Sequence, residues 1–150
     1  MFLLRKDAYA HIKGGKEYPN IDGEVIFKDT KKGVLVTAKI NRLPKSNNSC
    51  RGRVFGFHIH EGYSCTGNKE DKFADSGMHY NPTNCPHPNH AGDLPPLIEN
   101  NGYAYMSVLI NKFKIKDIIG KTIIIHDKPD DFTSQPSGNA GTKIACGVIK

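Results

Sequence analysis

The sequence has 150 residues, of which 37% are hydrophobic, and 21 Lys and Arg outweigh 15 Asp and Glu to give a formal charge of +6. This length predicts a single domain over residues 1–150, since one hydrophobic core organises about 100–200 residues. No apolar run reaches the roughly 18 residues that cross a bilayer as a helix, so no membrane association is expected. The 15 Gly and 9 Pro predict a turn-rich fold.

The N-terminal residues 1–4 (MFLL) are apolar, but Arg5, Lys6 and Asp7 follow directly. A secretory signal needs an apolar region of about 7–15 residues, so a cytoplasmic protein with reduced thiols is expected. The chain has four cysteines, Cys50, Cys65, Cys85 and Cys146. Four cysteines permit three pairings, and their spacing does not choose among them.

Short segments rich in β-branched and aromatic residues predict strands at 8–13, 23–28, 33–40, 53–60, 103–110 and 121–126. Residues 112–119 fit a strand in their first half and a helical turn at their end. Residues 61–99 and 127–140 carry no strand pattern, and loops of this length in a compact domain are usually functional. The pattern predicts an all-β, antiparallel sandwich or barrel with two long functional loops.

Six of the seven histidines lie between residues 58 and 126, and His11 stands apart. His58 and His60 end a predicted strand, where side chains at i and i+2 share a face and can meet one ion. Taken alone, such a pair is more often two exposed strand histidines than a metal site. His126 ends the apolar run 122–125, where an isolated histidine is more often a core residue.

A second group of candidate ligands lies in the first long loop. His87, His90 and Asp93 recur at i, i+3 and i+6, and the nearby Pro and Gly residues exclude a regular helix. A compact loop can wrap two or three imidazoles and a carboxylate around tetrahedral zinc. The alternative is a polar loop in which Asp93 caps a turn. With His79, an all-imidazole site for copper, zinc, iron or nickel also becomes possible.

Four motifs together resemble the copper/zinc superoxide dismutase family: residues 56–61 (GFHIHE), 77–82 (GMHYNP), 90–94 (HAGDL) and 138–149 (GNAGTKIACGVI). The resemblance runs in order from about residue 21 to the C-terminus. It implies an eight-stranded Greek-key β-barrel. It also implies an antioxidant enzyme that disproportionates superoxide anion to dioxygen and hydrogen peroxide by cycling copper between Cu(II) and Cu(I), with a structural zinc.

Carried over by position, the resemblance implies two ligand sets, copper on His58, His60, His79 and His126, and zinc on His79, His87, His90 and Asp93. The shared His79 is implied to be a catalytic proton carrier. Asp130 matches the family's carboxylate that accepts hydrogen bonds from His58 and His87, which would fix the orientation of both rings. Without the resemblance, Asp130 is better interpreted as part of an acidic surface turn with Asp131.

The resemblance also implies a disulfide between Cys65 and Cys146. Cys50 and Cys85 then remain as free thiols or form a second bridge. Cys85 is disfavoured as a zinc ligand because four ligands are already assigned.

Lys143 stands where the family pattern has an arginine beside the copper channel. Lysine keeps the charge that attracts superoxide but lacks the planar fork of arginine. Activity is therefore expected to be retained, at a level below that of Lys143→Arg. The loop 127–140 is short beside eukaryotic members, and residues 93–96 and 134–136 look more like bacterial members.

Two other functions fit parts of the sequence. A catalytically silent family member would only carry or sequester copper, although the complete ligand set argues against it. A nucleic-acid-binding barrel fits the +6 charge, but the positive residues are dispersed and no stacking motif accompanies them, so no nucleic acid partner is expected. A homodimer and a copper-delivery protein are the expected protein partners.

Overall fold

The computed structural model describes residues 8–50 and 52–150. The expectation that residues 1–7 carry no secretory signal lies outside this part of the chain. The strands are β1 (Ala8–Gly14), β2 (Asp22–Thr30), β3 (Gly33–Asn41), β4 (Val54–Phe55), β5 (Phe57–His60), β6 (Leu97–Ile98), β7 (Ala104–Ile110), β8 (Thr122–His126) and β9 (Lys143–Val148). The helical elements are a 3₁₀ turn (Ala74–Ser76) and α1 (Ile115–Ile118). Among the described residues, none of the helices has the length and apolar character that a membrane crossing requires.

Seven strands form one curled antiparallel sheet in the order β5-β8-β9-β1-β2-β3-β7, and β4 pairs with β6. Only Gly56 separates β4 from β5 at one edge of the large sheet, and β6 contacts β7 at the other edge. The small sheet therefore spans the two edges. Neighbours far apart in sequence, such as β3 with β7, are crossovers of the Greek-key kind. The predicted all-β antiparallel barrel is confirmed.

The core lies inside the curled sheet. In β1 and β3, buried residues alternate with exposed or half-buried ones, and Ala10, Ile12, Val36 and Ile40 are fully enclosed. Side chains of a strand alternate between the two faces, so this period-2 pattern directs one face inward. By contrast, β5 and β8 are buried on both faces. These two strands pass beneath the long loops and carry three of the histidines.

Local structure differs from the predicted elements at four places. The short strand β6 (Leu97–Ile98) lies inside the segment 61–99, for which no strand was predicted. The segment 53–60 splits at Gly56, whose N–H donates to the Lys128 carbonyl and whose carbonyl accepts from the His126 N–H, so it pairs with another part of the chain. The ambiguous segment 112–119 ends in α1, where the Asp117 carboxylate accepts from the Lys114 N–H at the helix start. β9 was absent from the strands predicted by alternation, because Ile144–Gly147 is buried throughout.

Candidate metal centre

All the histidines between residues 58 and 126 meet in one buried cluster with Asp93. Two groups of ligand atoms form it, each lying within 4.8 Å: His58, His60, His79 and His126, and His79, His87, His90 and Asp93. His79 belongs to both groups. The structure thus brings together every predicted ligand, whereas His11 lies exposed on β1, outside both groups.

The first group is built on β5 and β8. His58 and His60 point into the cluster from β5, and His126 enters at the end of β8 beside a register shift of the β8–β9 ladder. Nε2 of His60 and Nε2 of His126 lie 3.3 Å apart. Tetrahedral ligands with bonds of about 2.0–2.1 Å are separated by about 3.3–3.4 Å, so this spacing is that of two nitrogens on one ion.

The second group is built by the first long loop. Nδ1 of His79 lies 2.9 Å from Oδ1 of Asp93 and 3.3 Å from Nδ1 of His90. Nδ1 of His87 lies 3.0 Å from Oδ2 of Asp93, and Nδ1 of His90 lies 3.2 Å from the same oxygen. The His90 N–H also donates to Oδ2 of Asp93, which fixes the carboxylate. Three imidazoles and one carboxylate are a donor set typical of zinc.

In the part of the chain that the structure describes, several nitrogens of the cluster are buried without a hydrogen bond: His58 Nδ1, His79 Nε2 and His87 Nδ1, the last of which lies close to Asp93 but does not form a hydrogen bond with it. Buried polar atoms are almost always paired, so each needs a ligand that the protein does not supply. All three belong to residues of the two ligand groups. The residues present therefore fit two bound cations, one held by four imidazoles and one by three imidazoles and a carboxylate.

Burial keeps three imidazoles of the first group neutral, those of His58, His60 and His126. It lowers the pKa of His58 to about 4, although the hydrogen bond to Asp130 opposes the shift. Burial, the neighbouring histidines and, more weakly, the charge of Lys143 lower the pKa of His126 to about 3. Burial and the same crowding hold the pKa of His60 well below its usual value. Neutral imidazoles present the lone pairs that metal binding requires.

Asp130 holds two rings of the cluster at once. Nε2 of His58 donates to Oδ2 of Asp130, and Nε2 of His87 donates to Oδ1, each over 2.8 Å. Burial raises the pKa of this carboxyl, but these two bonds and one from the Phe132 N–H outweigh it, so the pKa is far below its usual value. A side chain at Gly138 would overlap Asp130 and His87, which explains glycine there.

The profile of the copper/zinc superoxide dismutase family matches residues 21–149. The chain belongs to that family. It is 34% identical to "Superoxide dismutase [Cu-Zn] 2" of Aquifex aeolicus over 100% of this chain and 94% of the relative. It is 36% identical to "Superoxide dismutase [Cu-Zn]" of Legionella pneumophila over 85% of this chain and 77% of the relative. The solved Cu/Zn superoxide dismutase from Brucella abortus superposes with a TM-score of 0.81, at 26% identity, over 97% of this chain and 100% of that chain.

The disulfide that the superoxide dismutase resemblance implied is present in the structure. Cys65 and Cys146 are bonded, with their Cα atoms 5.8 Å apart, and the bond ties the loop after β5 to β9. Cys50 and Cys85 are free. The Cys85 thiol contacts the Thr83 hydroxyl at 3.2 Å and belongs to neither ligand group. The alternatives of a second bridge and of a cysteine ligand are therefore not observed.

Lys143 lies directly across the β8–β9 ladder from His126. Its ammonium does not extend freely toward solvent: Nζ lies 2.8 Å from Oδ2 of Asp71 and donates to the Phe73 carbonyl over 3.2 Å. The side chain is 14% exposed. Asp71 was not predicted from the sequence as a partner of Lys143, because it lies 72 residues away in a loop without periodic pattern.

Proposed function

We propose that the chain is a superoxide dismutase that converts two superoxide anions and two protons into dioxygen and hydrogen peroxide, with copper and zinc as its cofactors. The observation that carries this is the position of His79. This residue belongs to both ligand groups: its Nδ1 lies 2.9 Å from Oδ1 of Asp93, while its buried Nε2 has no hydrogen-bond partner among the described residues. One ring can thus serve both ions. Membership of the superoxide dismutase family supports the same conclusion.

We assign copper to His58, His60, His79 and His126, and zinc to His79, His87, His90 and Asp93. Copper, when bound, supplies the one-electron chemistry by alternating between Cu(II) and Cu(I). His79 then holds or releases a proton at Nε2, where the reduction of the second superoxide requires one. Its Nδ1 stays among the ligands of the second group, which keeps the ring in place.

Lys143 is the residue to which we assign attraction of the substrate anion. A positive charge beside a buried site raises the local concentration of an anion and its encounter rate. The cross-strand position next to His126 supports this role, because paired residues on adjacent strands have Cβ atoms about 4.5–5.5 Å apart.

The purified protein tests the proposal. Metal analysis should find one copper and one zinc per chain, anomalous scattering at both absorption edges should place the two metals on either side of His79, and the loaded protein should consume superoxide. Bound copper without turnover would instead favour the copper-carrying alternative. A single zinc beside an empty four-histidine group would contradict the catalytic assignment.

Assembly and location complete the proposal. A homodimer is supported by exposed apolar side chains on the outer face of β7, where Tyr105 is 61% and Leu109 47% exposed. Sedimentation equilibrium of the wild type and of a Tyr105→Lys variant tests it.

Residence in the cytoplasm is supported by two free thiols, Cys50 and Cys85, since unpaired cysteines are typical of reducing compartments. Cell fractionation tests the location, and affinity capture with copper present tests for a copper-delivery protein.

A further inference from the structure

Asp71 occupies a fixed position in the loop that the disulfide ties to β9. Its Oδ1 accepts from the Phe73 N–H over 2.9 Å, and its carbonyl accepts from the Asn68 N–H over 2.8 Å. The Asn68 side chain in turn accepts from the Asp71 N–H over 2.9 Å. These bonds fix the position of the Asp71 backbone and of its carboxylate. Oδ2 is the oxygen that remains, and it faces Lys143.

The Lys143 ammonium is therefore paired with a carboxylate whose position is fixed. The pair is partly shielded from water, with 14% of the Lys143 side chain and 39% of the Asp71 side chain exposed. Screening by solvent is weaker for such a pair than for two fully exposed groups. The ammonium also donates to the Phe73 carbonyl, so two of its three N–H groups are engaged.

Other charged residues near the pair do not compensate for the positive charge that Asp71 offsets. A cavity of about 280 Å³ opens beside it, and its charged lining residues are Lys16, Glu17, Lys69, Glu70, Asp71, Lys72 and Lys143. The four lysines are nearly balanced by three carboxylates. Asp71 is the one carboxylate among them that contacts Lys143 in the described part of the chain.

We propose that Asp71 sets how strongly Lys143 attracts the substrate anion. It is a positioning residue: it holds the ammonium against the loop and offsets its charge, which lowers the encounter rate with superoxide and the affinity of the site for small anions. This inference rests on the proposed function, because it presumes that superoxide is attracted to the four-histidine ligand group, in which His126 lies beside Lys143. Asp71 would thus regulate the attraction of the anion without being a metal ligand.

The experiment compares Asp71→Asn with Glu70→Gln in the copper- and zinc-loaded protein. The asparagine keeps the acceptor for the Phe73 N–H, so the turn is retained. Glu70→Gln removes an equal charge one residue away, from an exposed side chain without an ion pair among the described residues. Azide, a small monoanion that binds Cu(II), is titrated by absorbance, and superoxide consumption is measured at several ionic strengths.

We expect Asp71→Asn to lower the dissociation constant of azide by about threefold and to raise the rate at low salt by a similar factor, with a steeper salt dependence. Glu70→Gln should change both by less than half as much. Equal effects of the two variants would overturn the proposal, since only net charge would then matter. Weaker azide binding in Asp71→Asn would also overturn it, because Asp71 would then hold Lys143 in its useful position.

A third measurement needs no metal. Competitive acetylation of the whole protein at low salt, read by mass spectrometry, should place Lys143 among the least reactive lysines of the wild type and several-fold higher in Asp71→Asn. Unchanged reactivity of Lys143 would overturn the proposal even if the variant changes the rate. A wild-type protein that binds no copper would contradict the proposed function, while the acetylation result would still decide whether Asp71 restrains Lys143.

Discussion

Nε2 of His60 and Nε2 of His126 lie 3.3 Å apart on the face of β5 and β8 that points away from the hydrophobic core. Nδ1 of His60 faces the Gly77 carbonyl at 2.8 Å, and Nδ1 of His126 faces the Gly141 carbonyl at 3.4 Å. A carbonyl accepts only from N–H, so both Nδ1 atoms carry the proton of a neutral ring. Two lone pairs thus point at each other, an arrangement that a cation between them stabilises.

Removal of metal is therefore expected to lower the stability of the fold. A ligand present at about 1,000 times its dissociation constant stabilises the native state by about 4 kcal/mol, which is about 8–16 °C in Tm for a chain of this length. Calorimetry before and after treatment with a chelator measures the difference. Re-addition of copper and zinc should restore the original Tm. An identical Tm with and without metal would contradict the ligand assignment.

The metal-free protein is expected to lose stability as the pH falls from about 6.5 toward 4. In the unfolded chain these histidines bind protons near their ordinary pKa, whereas burial lowers the pKa of His58 to about 4 and of His126 to about 3 in the fold. The unfolded state then binds more protons across this window, so each such histidine costs up to about 1.4 kcal/mol per pH unit. Urea unfolding at pH 7, 6, 5 and 4.5 measures the effect, and a flat profile would contradict it.

Asp130→Asn is expected to weaken the binding of both metals by about 10- to 100-fold. Asparagine offers one acceptor oxygen, so its amide N–H must face the N–H of either His58 or His87. Competition with chelators of known affinity measures the loss. Asp131→Asn is the control, because within residues 8–50 and 52–150 Asp131 accepts only from its own turn, including the N–H groups of Thr133 and Ser134. Equal losses in the two variants would contradict the role of Asp130.

Replacement of both Cys65 and Cys146 by serine is expected to reduce the free energy of unfolding by about 3–5 kcal/mol. The bond closes a loop over a sequence separation of 81 residues, and long loops lose the most chain entropy when they are closed. Denaturant unfolding of the metal-free protein measures the change. The exposed Cys50 supplies the control, and Cys50→Ser should alter stability by less than about 0.5 kcal/mol.

Lys143→Arg is expected to raise the rate of superoxide consumption. The ammonium already donates to Asp71 and Phe73 and retains one N–H for an anion. A guanidinium has five donors and can keep these contacts while it binds an anion through two more. The rates of loaded wild type and variant at matched ionic strength and metal content provide the comparison. Equal or higher activity of the wild type would contradict this prediction.

Some ligands were predictable as candidates from short local patterns, whereas His126, taken alone, was interpreted as a core residue and joined the ligand set only through the family resemblance. The spacing of His58 and His60 places both on one face of a strand, and the turn residues around His87 and His90 predict a loop that can wrap an ion. The fold class followed from alternating segments such as 33–40. Motifs and periodicity are local properties, so they can be recognised from the sequence alone.

What escaped prediction depends on contacts between distant segments. β9 lacks alternation because both of its faces are covered, and the break at Gly56 follows from bonds to His126, the last residue of β8, and to Lys128 just after it. The pairing of Asp71 with Lys143 joins a loop to the last strand. No local pattern encodes such pairs, since each depends on how the completed barrel brings its ends together.

Because His79 belongs to both ligand groups, binding of one metal is expected to change the affinity for the other. Nδ1 of His79 lies 2.9 Å from the Asp93 carboxylate, so without metal the ring proton resides on Nδ1. An ion in the Asp93 group would take the Nδ1 lone pair and leave the ring proton on Nε2, from which an ion in the four-imidazole group would have to displace it. The affinity of each ion therefore depends on the other, by the same factor in both directions. The order in which the metals are supplied changes the path of loading and leaves the fully loaded state, and its total proton release, the same.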